Sequence, residues 1–218
     1  MGTKIIISVL SVFIAIISHE IAHGWIAWKL GDNTAKNCGR LSLNPVKHID
    51  LFGTVILPIL LLLSKSGFVF GWAKPVPIDY SKLKHPKRDI LLVSSAGIVA
   101  NLLLAVISAI LLKLTLYLPI HTIKGVLSMF WLYMIIFNTI LAVFNLLPIP
   151  PLDGSKILLG WSDHPLVIKF LNSDHLGLVF IVILAFILPV TLQHFNIDFN
   201  PLAEYLRITT LFITNGLI

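Results

Sequence analysis

The chain has 218 residues, 57% hydrophobic and only 12% charged, with a mean hydropathy of +0.94. Water-soluble domains carry about 25% charged residues, so this composition excludes a soluble enzyme and describes an integral membrane protein. The single cysteine, Cys38, excludes internal disulfides and a thiolate-rich metal centre. The net charge of +6 sits in segments between apolar runs, a placement that suits anionic lipid and not nucleic acid.

A spanning helix takes about 20 residues, which leaves room for about four to six membrane segments. The expected organisation is one integral membrane domain over residues 1–218. Its core covers about 3–155, and further membrane or interfacial helices cover about 156–218, with no repeat, low-complexity stretch or appended regulatory domain. The first helix is predicted over residues 3–30, with Gly31-Asp32-Asn33 as its stop signal. It has no cleavage site behind a basic start and is not a removed signal peptide.

That helix contains His19-Glu20-Ile21-Ala22-His23. At about 3.6 residues per turn the two histidines lie one turn apart on one face and can share a zinc ion. Glu20 points about 100° away, from where it can act as general base on a water. On a soluble helix such a cluster is usually a solvated face. The run of Ile, Val, Leu and Phe before it removes that reading, and an ionisable cluster inside a membrane helix points to function.

A polar loop over residues 32–50 holds Lys36, Arg40 and Lys47, with an extended piece at 40–45. Residues 51–63 are apolar but short for a span and contain Pro58, which suggests a re-entrant segment. Residues 67–78 are rich in β-formers and aromatics, punctuated by Gly and Pro. They read as a hairpin-like loop dipping into the membrane region, or as an interfacial loop anchored by Trp72. Lys82, Lys84, Lys87 and Arg88 lead into a second core helix over 89–118. Its Ser94-Ser95-Ala96-Gly97 allows close helix approach, and Asn101 needs an interhelical partner.

A turn at 119–124 precedes a third core helix over 125–147, carrying Asn138 and Asn145. Pro148, Pro150 and Pro151 then stop the helix and force an extended path to Asp153-Gly154. Residues 156–170 are amphipathic and interfacial in character. Residues 175–193 form another membrane helix, bent at Pro189. Asn200-Pro201 opens a last helix, to about 213, as an Asn cap and an N1 proline allow. Glu204 and Arg207 favour its lying at the surface. The fold class is therefore an all-α polytopic membrane protein: a three-helix catalytic core, additional membrane helices, and a short re-entrant or β-hairpin-like loop.

Two histidines leave a catalytic zinc one protein ligand short. Among the acids, Asp153 alone follows directly from an apolar helix on a rigid proline-rich strut, with His48 the reserve among the histidines. The His pair lies towards the C-terminal end of helix one, and Asp153 just past the C-terminal end of helix three. For them to meet, those helices must run parallel, with the 89–118 helix antiparallel between them. Charge agrees. Lys29, Lys36, Arg40, Lys47, Lys82, Lys84, Lys87, Arg88, Lys156 and Lys169 then share one side, against Lys4, Lys113, Lys124 and Arg207 at the other. The richer side is cytoplasmic by the positive-inside rule, which puts the active site towards the cytosol of a multi-pass protein of the cell membrane.

The sequence resembles the site-2 protease family of zinc intramembrane metalloproteases. The resemblance rests on His19 to His23, Ala96-Gly97-Ile98-Val99-Ala100-Asn101 and Asn145 through Asp153-Gly154, and covers about residues 5–160. The stretches Asn44-Pro45-Val46-Lys47-His48-Ile49-Asp50 and Phe70-Gly71-Trp72-Ala73-Lys74-Pro75-Val76-Pro77 look like the compact prokaryotic-type branch, which lacks PDZ and CBS domains. The resemblance implies that His19, His23 and Asp153 bind one zinc per chain and that Glu20 activates the water. It also implies that Asn145 helps position the substrate strand or the oxyanion and that Asn101 lines the same cavity. Ile98 stands where many relatives have proline, and Ser155 where a second glycine is common.

The expected activity is zinc-dependent cleavage of peptide bonds in or near transmembrane segments of membrane proteins, in regulated intramembrane proteolysis. The alternative is a membrane metal-ion transporter or zinc-binding protein that does not hydrolyse, for which Glu20 would be unnecessary.

Overall fold

The computed structural model describes residues 2–56, 59–60, 63, 73–161, 164–171 and 173–218. Among them it is all helical. The main elements are α1 (Gly2–Lys29), α2 (Thr34–Asn37), α3 (Pro86–Thr115), α4 (His121–Asn145), α5 (Asp153–Leu159), α6 (Pro165–Leu171), α7 (Asp174–His194) and α8 (Pro201–Leu217). Of these, α1, α3, α4 and α7 are long and apolar enough to cross a membrane. The protein is a multi-pass membrane protein.

The core is the bundle α1–α3–α4, each helix packing on the other two. The buried residues explain why. On α1 they include Ile7, Ser11, Ala15, His19, His23 and Ala27, one every fourth residue, beside Ile17 and Gly24. On α3 they include Asp89, Val93, Gly97, Asn101, Ala105 and Ala109, at the same spacing. On α4, Met134, Asn138 and Ala142 form one such row, beside Ile135, Thr139 and Val143. Ridges at i±4 on each helix fit grooves on its neighbours. Their small residues bring backbones close where lipid gives no hydrophobic drive for association. The larger apolar residues face outward, among them Ile6, Leu103, Ile110 and Val126.

Contacts fix the directions. Asn101 reaches Ala15 and His19, while Val93 reaches His23, so α1 and α3 are antiparallel. Asn101 also meets Asn138, and Asp153 beyond α4 meets His19 and His23, so α4 runs parallel to α1. This is the expected topology. The helix boundaries differ at two starts and at some ends: α3 stops at Thr115, short of 118, and α8 runs to Leu217, past 213. Pro86 opens α3 three residues before position 89, since an N1 proline forfeits no helical bond. There the Asp89 carboxylate accepts the His85 backbone N–H. Likewise α4 begins at His121, four residues before position 125.

In the short apolar segment, Leu51–Ile56 forms a π-helical turn capped reciprocally. Asp50 accepts the Gly53 N–H, and the Thr54 hydroxyl accepts the Asp50 N–H. Pro58 lies outside the described residues, as do residues 67–72 of the expected hairpin with Trp72. Residues 73–79 run extended but form no strand, and none forms at 40–45. The expected bend in α7 appears as a π-helical stretch, Ile183–Ile187, just before Pro189. It accommodates a residue that cannot donate to the helical ladder. In α8, Asn200 accepts the Ala203 N–H as the predicted cap. Thr210 and Thr214 are buried, and the helix packs on α4 while Glu204 and Arg207 pair at its exposed side.

Candidate metal centre

His19 Nε2 and His23 Nε2 are 3.0 Å apart, and each is 3.1 Å from Asp153 Oδ2. All three residues are buried. Among the described residues they are the one group of three His, Cys, Asp or Glu side chains that could hold an ion.

The surroundings of the rings decide where the protons are. His23 Nδ1 lies 2.7 Å from the Val93 carbonyl, which can only accept, so Nδ1 carries the hydrogen. His19 Nδ1 lies 2.7 Å from Asn101 Oδ1. The amide of Asn101 donates to the Ala15 carbonyl and to Asn138 Oδ1, which fixes its oxygen towards His19. Asn138 in turn donates to the Met134 carbonyl. In the neutral form each imidazole then presents a bare Nε2 lone pair. In that form three lone pairs meet, and Asp153 Oδ2 is buried without a hydrogen-bond donor. Such an arrangement is repulsive unless a cation occupies its centre. Two imidazoles and one carboxylate are a donor set for zinc, and histidine ligands are commonly oriented by just such outer bonds.

Each element contributes a reason for this closeness. Gly97 on α3 lies against both rings, and a Cβ there would overlap His23 Nε2 and His19 Nδ1. Asp153 opens α5 after the Pro150–Pro151 strut, whose peptide bond is cis. Gly154 lets the chain fold back onto the Leu146 and Leu147 carbonyls, where a Cβ would collide. Ser155 donates to the Leu152 carbonyl at 2.6 Å. Gly177 of α7 packs against the Pro150 carbonyl and supports the strut from outside.

Glu20 is half-buried beside the pair, its Oε2 accepting the Val76 backbone N–H at 2.7 Å. Val76 belongs to the extended strap 73–79, which is pinned along its length. Lys74 N–H donates to the His48 carbonyl, Arg40 Nη2 donates to the Lys74 carbonyl, and Asp79 N–H donates to Asp32. Burial pushes the Asp32 carboxyl upward, but hydrogen bonds from Thr34 and from the Asp79 backbone outweigh this and hold it below its usual value.

The remaining predicted residues take other places. His48 is buried, with Nε2 2.7 Å from the Ser42 carbonyl, and does not join the ligand group; it organises the loop that carries the strap. Asn101 is fully buried behind His19 and acts on that ring from the side away from the ligand atoms. Asn145 is bonded to the Leu141 carbonyl of its own helix. Asn138, Gly97, Asp32 and Arg40 carry site geometry that the motif reading did not assign. For Asn138 the available signal was a second amide amid apolar residues.

Comparison with known proteins follows the same lines. The profile of Peptidase family M50 matches residues 115–190, a stretch that includes Asp153 and lies downstream of the His pair. A protein of Bacillus subtilis (strain 168) named "Putative zinc metalloprotease YwhC" is 37% identical over 185 residues, spanning 84% of this chain and 80% of that protein. "Putative zinc metalloprotease Rip2" of Mycolicibacterium smegmatis is 29% identical over 219 residues, spanning 92% and 79%. Its namesake in Mycobacterium tuberculosis (strain ATCC 25618 / H37Rv) is 34% identical over 142 residues, spanning 64% and 51%. No solved structure matches the chain.

Proposed function

Since the chain belongs to Peptidase family M50, the site-2 protease family, and is a zinc metalloprotease, we propose that it is an intramembrane endopeptidase cutting peptide bonds in or near transmembrane segments of other membrane proteins. The observation that carries this reading is the convergence of the His19, His23 and Asp153 ligand atoms at a bundle of membrane helices. His19, His23 and Asp153 would hold one zinc, which supplies Lewis acidity and lowers the pKa of water when bound. The remaining steps belong to the chain. Glu20 accepts the proton of the attacking water and returns it to the amide nitrogen as the C–N bond breaks. Val76 N–H holds Oε2, and among the described residues Oε1 has no hydrogen bond, which leaves that oxygen for the proton. The substrate helix must unwind locally, because a helix shields its own carbonyls. Pairing of such a segment along residues 68–78 would use the edge of the strap away from Glu20, where Pro75 and Pro77 offer carbonyls but no N–H.

In this reading the chain is one integral domain, with its metal end at the cytoplasmic face. Lys29 and Lys36 lie over the Trp28 ring at 4.8 and 4.3 Å at the end of α1, as suits an interfacial anchor on that side.

The deciding experiment measures zinc content and cleavage of a transmembrane substrate in wild type, His23→Ala, Asp153→Ala and Glu20→Gln. We expect about one zinc in wild type and strong loss in the two ligand variants, whereas Glu20→Gln keeps zinc without cleaving. Full zinc in Asp153→Ala would sever the two motifs. Continued cleavage by Glu20→Gln would remove the base.

A further inference from the structure

Arg40 is buried, and among the described residues no carboxylate lies within ion-pair distance of it. Among the described residues its Nε has no hydrogen-bond partner, and its Nη2 donates to the Lys74 carbonyl at 2.7 Å. A buried guanidinium without a counter-charge is costly to the fold, so its presence calls for a reason other than stability.

Lys74 is also held at its N–H, by the His48 carbonyl at 2.9 Å. Both backbone groups of one residue are therefore clamped on the same edge of the extended strap. Backbone groups of alternate residues face the same edge of an extended chain, and two positions on, Val76 N–H meets Glu20 Oε2 at 2.7 Å. Pro75 and Pro77 flank Val76, fix φ and remove the neighbouring donors. The register of this short piece thus has anchors at Lys74 and Asp79 and an output at Glu20. We infer that Arg40 is a positioning residue for the hydrolytic step: through the Lys74 carbonyl it sets Val76 N–H on Glu20 and so aims the free carboxylate oxygen.

This rests on the reading of Glu20 as the base. The test uses the full chain with its zinc, in lipid vesicles, and a transmembrane substrate. Arg40→Gln should lower kcat about ten- to hundredfold, as loss of a charge-assisted hydrogen bond does, with KM and zinc content unchanged. Arg40→Lys should regain most of that loss. Val76→Pro deletes the N–H, along with the buried valine side chain, and should lower kcat similarly. The double variant Arg40→Gln/Val76→Pro should be no slower than Val76→Pro, because both act on one bond. Wild-type kcat in Arg40→Gln, multiplicative losses in the double variant, or loss of zinc together with activity would overturn the inference. Should Arg40→Gln fail to fold, Val76→Pro decides: full kcat overturns, and reduced kcat with zinc intact supports. Glu20→Gln in the same assay separates the two levels. If it turns over normally, the base assignment itself falls. If it is dead while Arg40→Gln is unimpaired, only the role of Arg40 falls.

Discussion

Two histidines at i and i+4 are the part of the site that a sequence displays, because helix geometry alone puts them on one face. The state of those rings is less visible. That of His19 depends on Asn101, 82 positions away, whose own orientation depends on Asn138, and that of His23 on the Val93 carbonyl. Sequence reading found Asn101 as a polar group needing an interhelical partner, which it has, but could not say that the partner is a ligand ring. Asn101→Leu should therefore weaken zinc binding about 10–100-fold, the usual effect of losing an outer-shell partner. Chelator competition checks this; an unchanged affinity would show that the Asn101–His19 bond does not orient the ligand. His48 illustrates the opposite case. Its type suited a ligand, yet a buried imidazole is as readily used to bond a carbonyl, here that of Ser42.

At the level of elements, the helices were readable from apolar length, and their ends less so, since Pro86 and His121 start helices earlier than the polar residues around them suggest. The every-fourth-residue stripe on α1 is also present in the sequence. A helix that is apolar all round conceals it, because hydrophobic contrast does not mark the packed face. The strap was the hardest element to foresee, as its order comes from Asp32, Arg40, His48 and Glu20 and not from any ladder. Gly97 is where the stripe and the site coincide. Gly97→Ala should abolish most zinc binding and cleavage, because the added methyl occupies space taken by His23 Nε2 and by the His19 ring. By contrast Gly125→Ala, with open space around it, should leave both intact. Equal zinc content in the two variants would disprove the tight approach of α3 to the His pair.

For the whole molecule, the parallel course of α1 and α4 was deduced from the need to bring Asp153 to the histidines, and the contacts of Asn101, Val93 and Asp153 reproduce it. The proposed orientation in the membrane rests on charge placement alone. It predicts that Cys38, exposed in the loop at the metal end, reacts with a membrane-impermeant thiol reagent in inverted vesicles and not in intact cells. Labelling in intact cells would reverse the topology.

The order of the ligands along the chain has a consequence for biosynthesis. The histidines and Glu20 leave the ribosome with the first helix, whereas Asp153 follows only after the third core helix. A chain halted anywhere before that point carries the proposed base and two of the proposed ligands on its first helix, without the carboxylate that completes the set. Hydrolytic competence is thus withheld until the core has been inserted and docked, and a membrane crowded with unfinished segments is not exposed to a working protease.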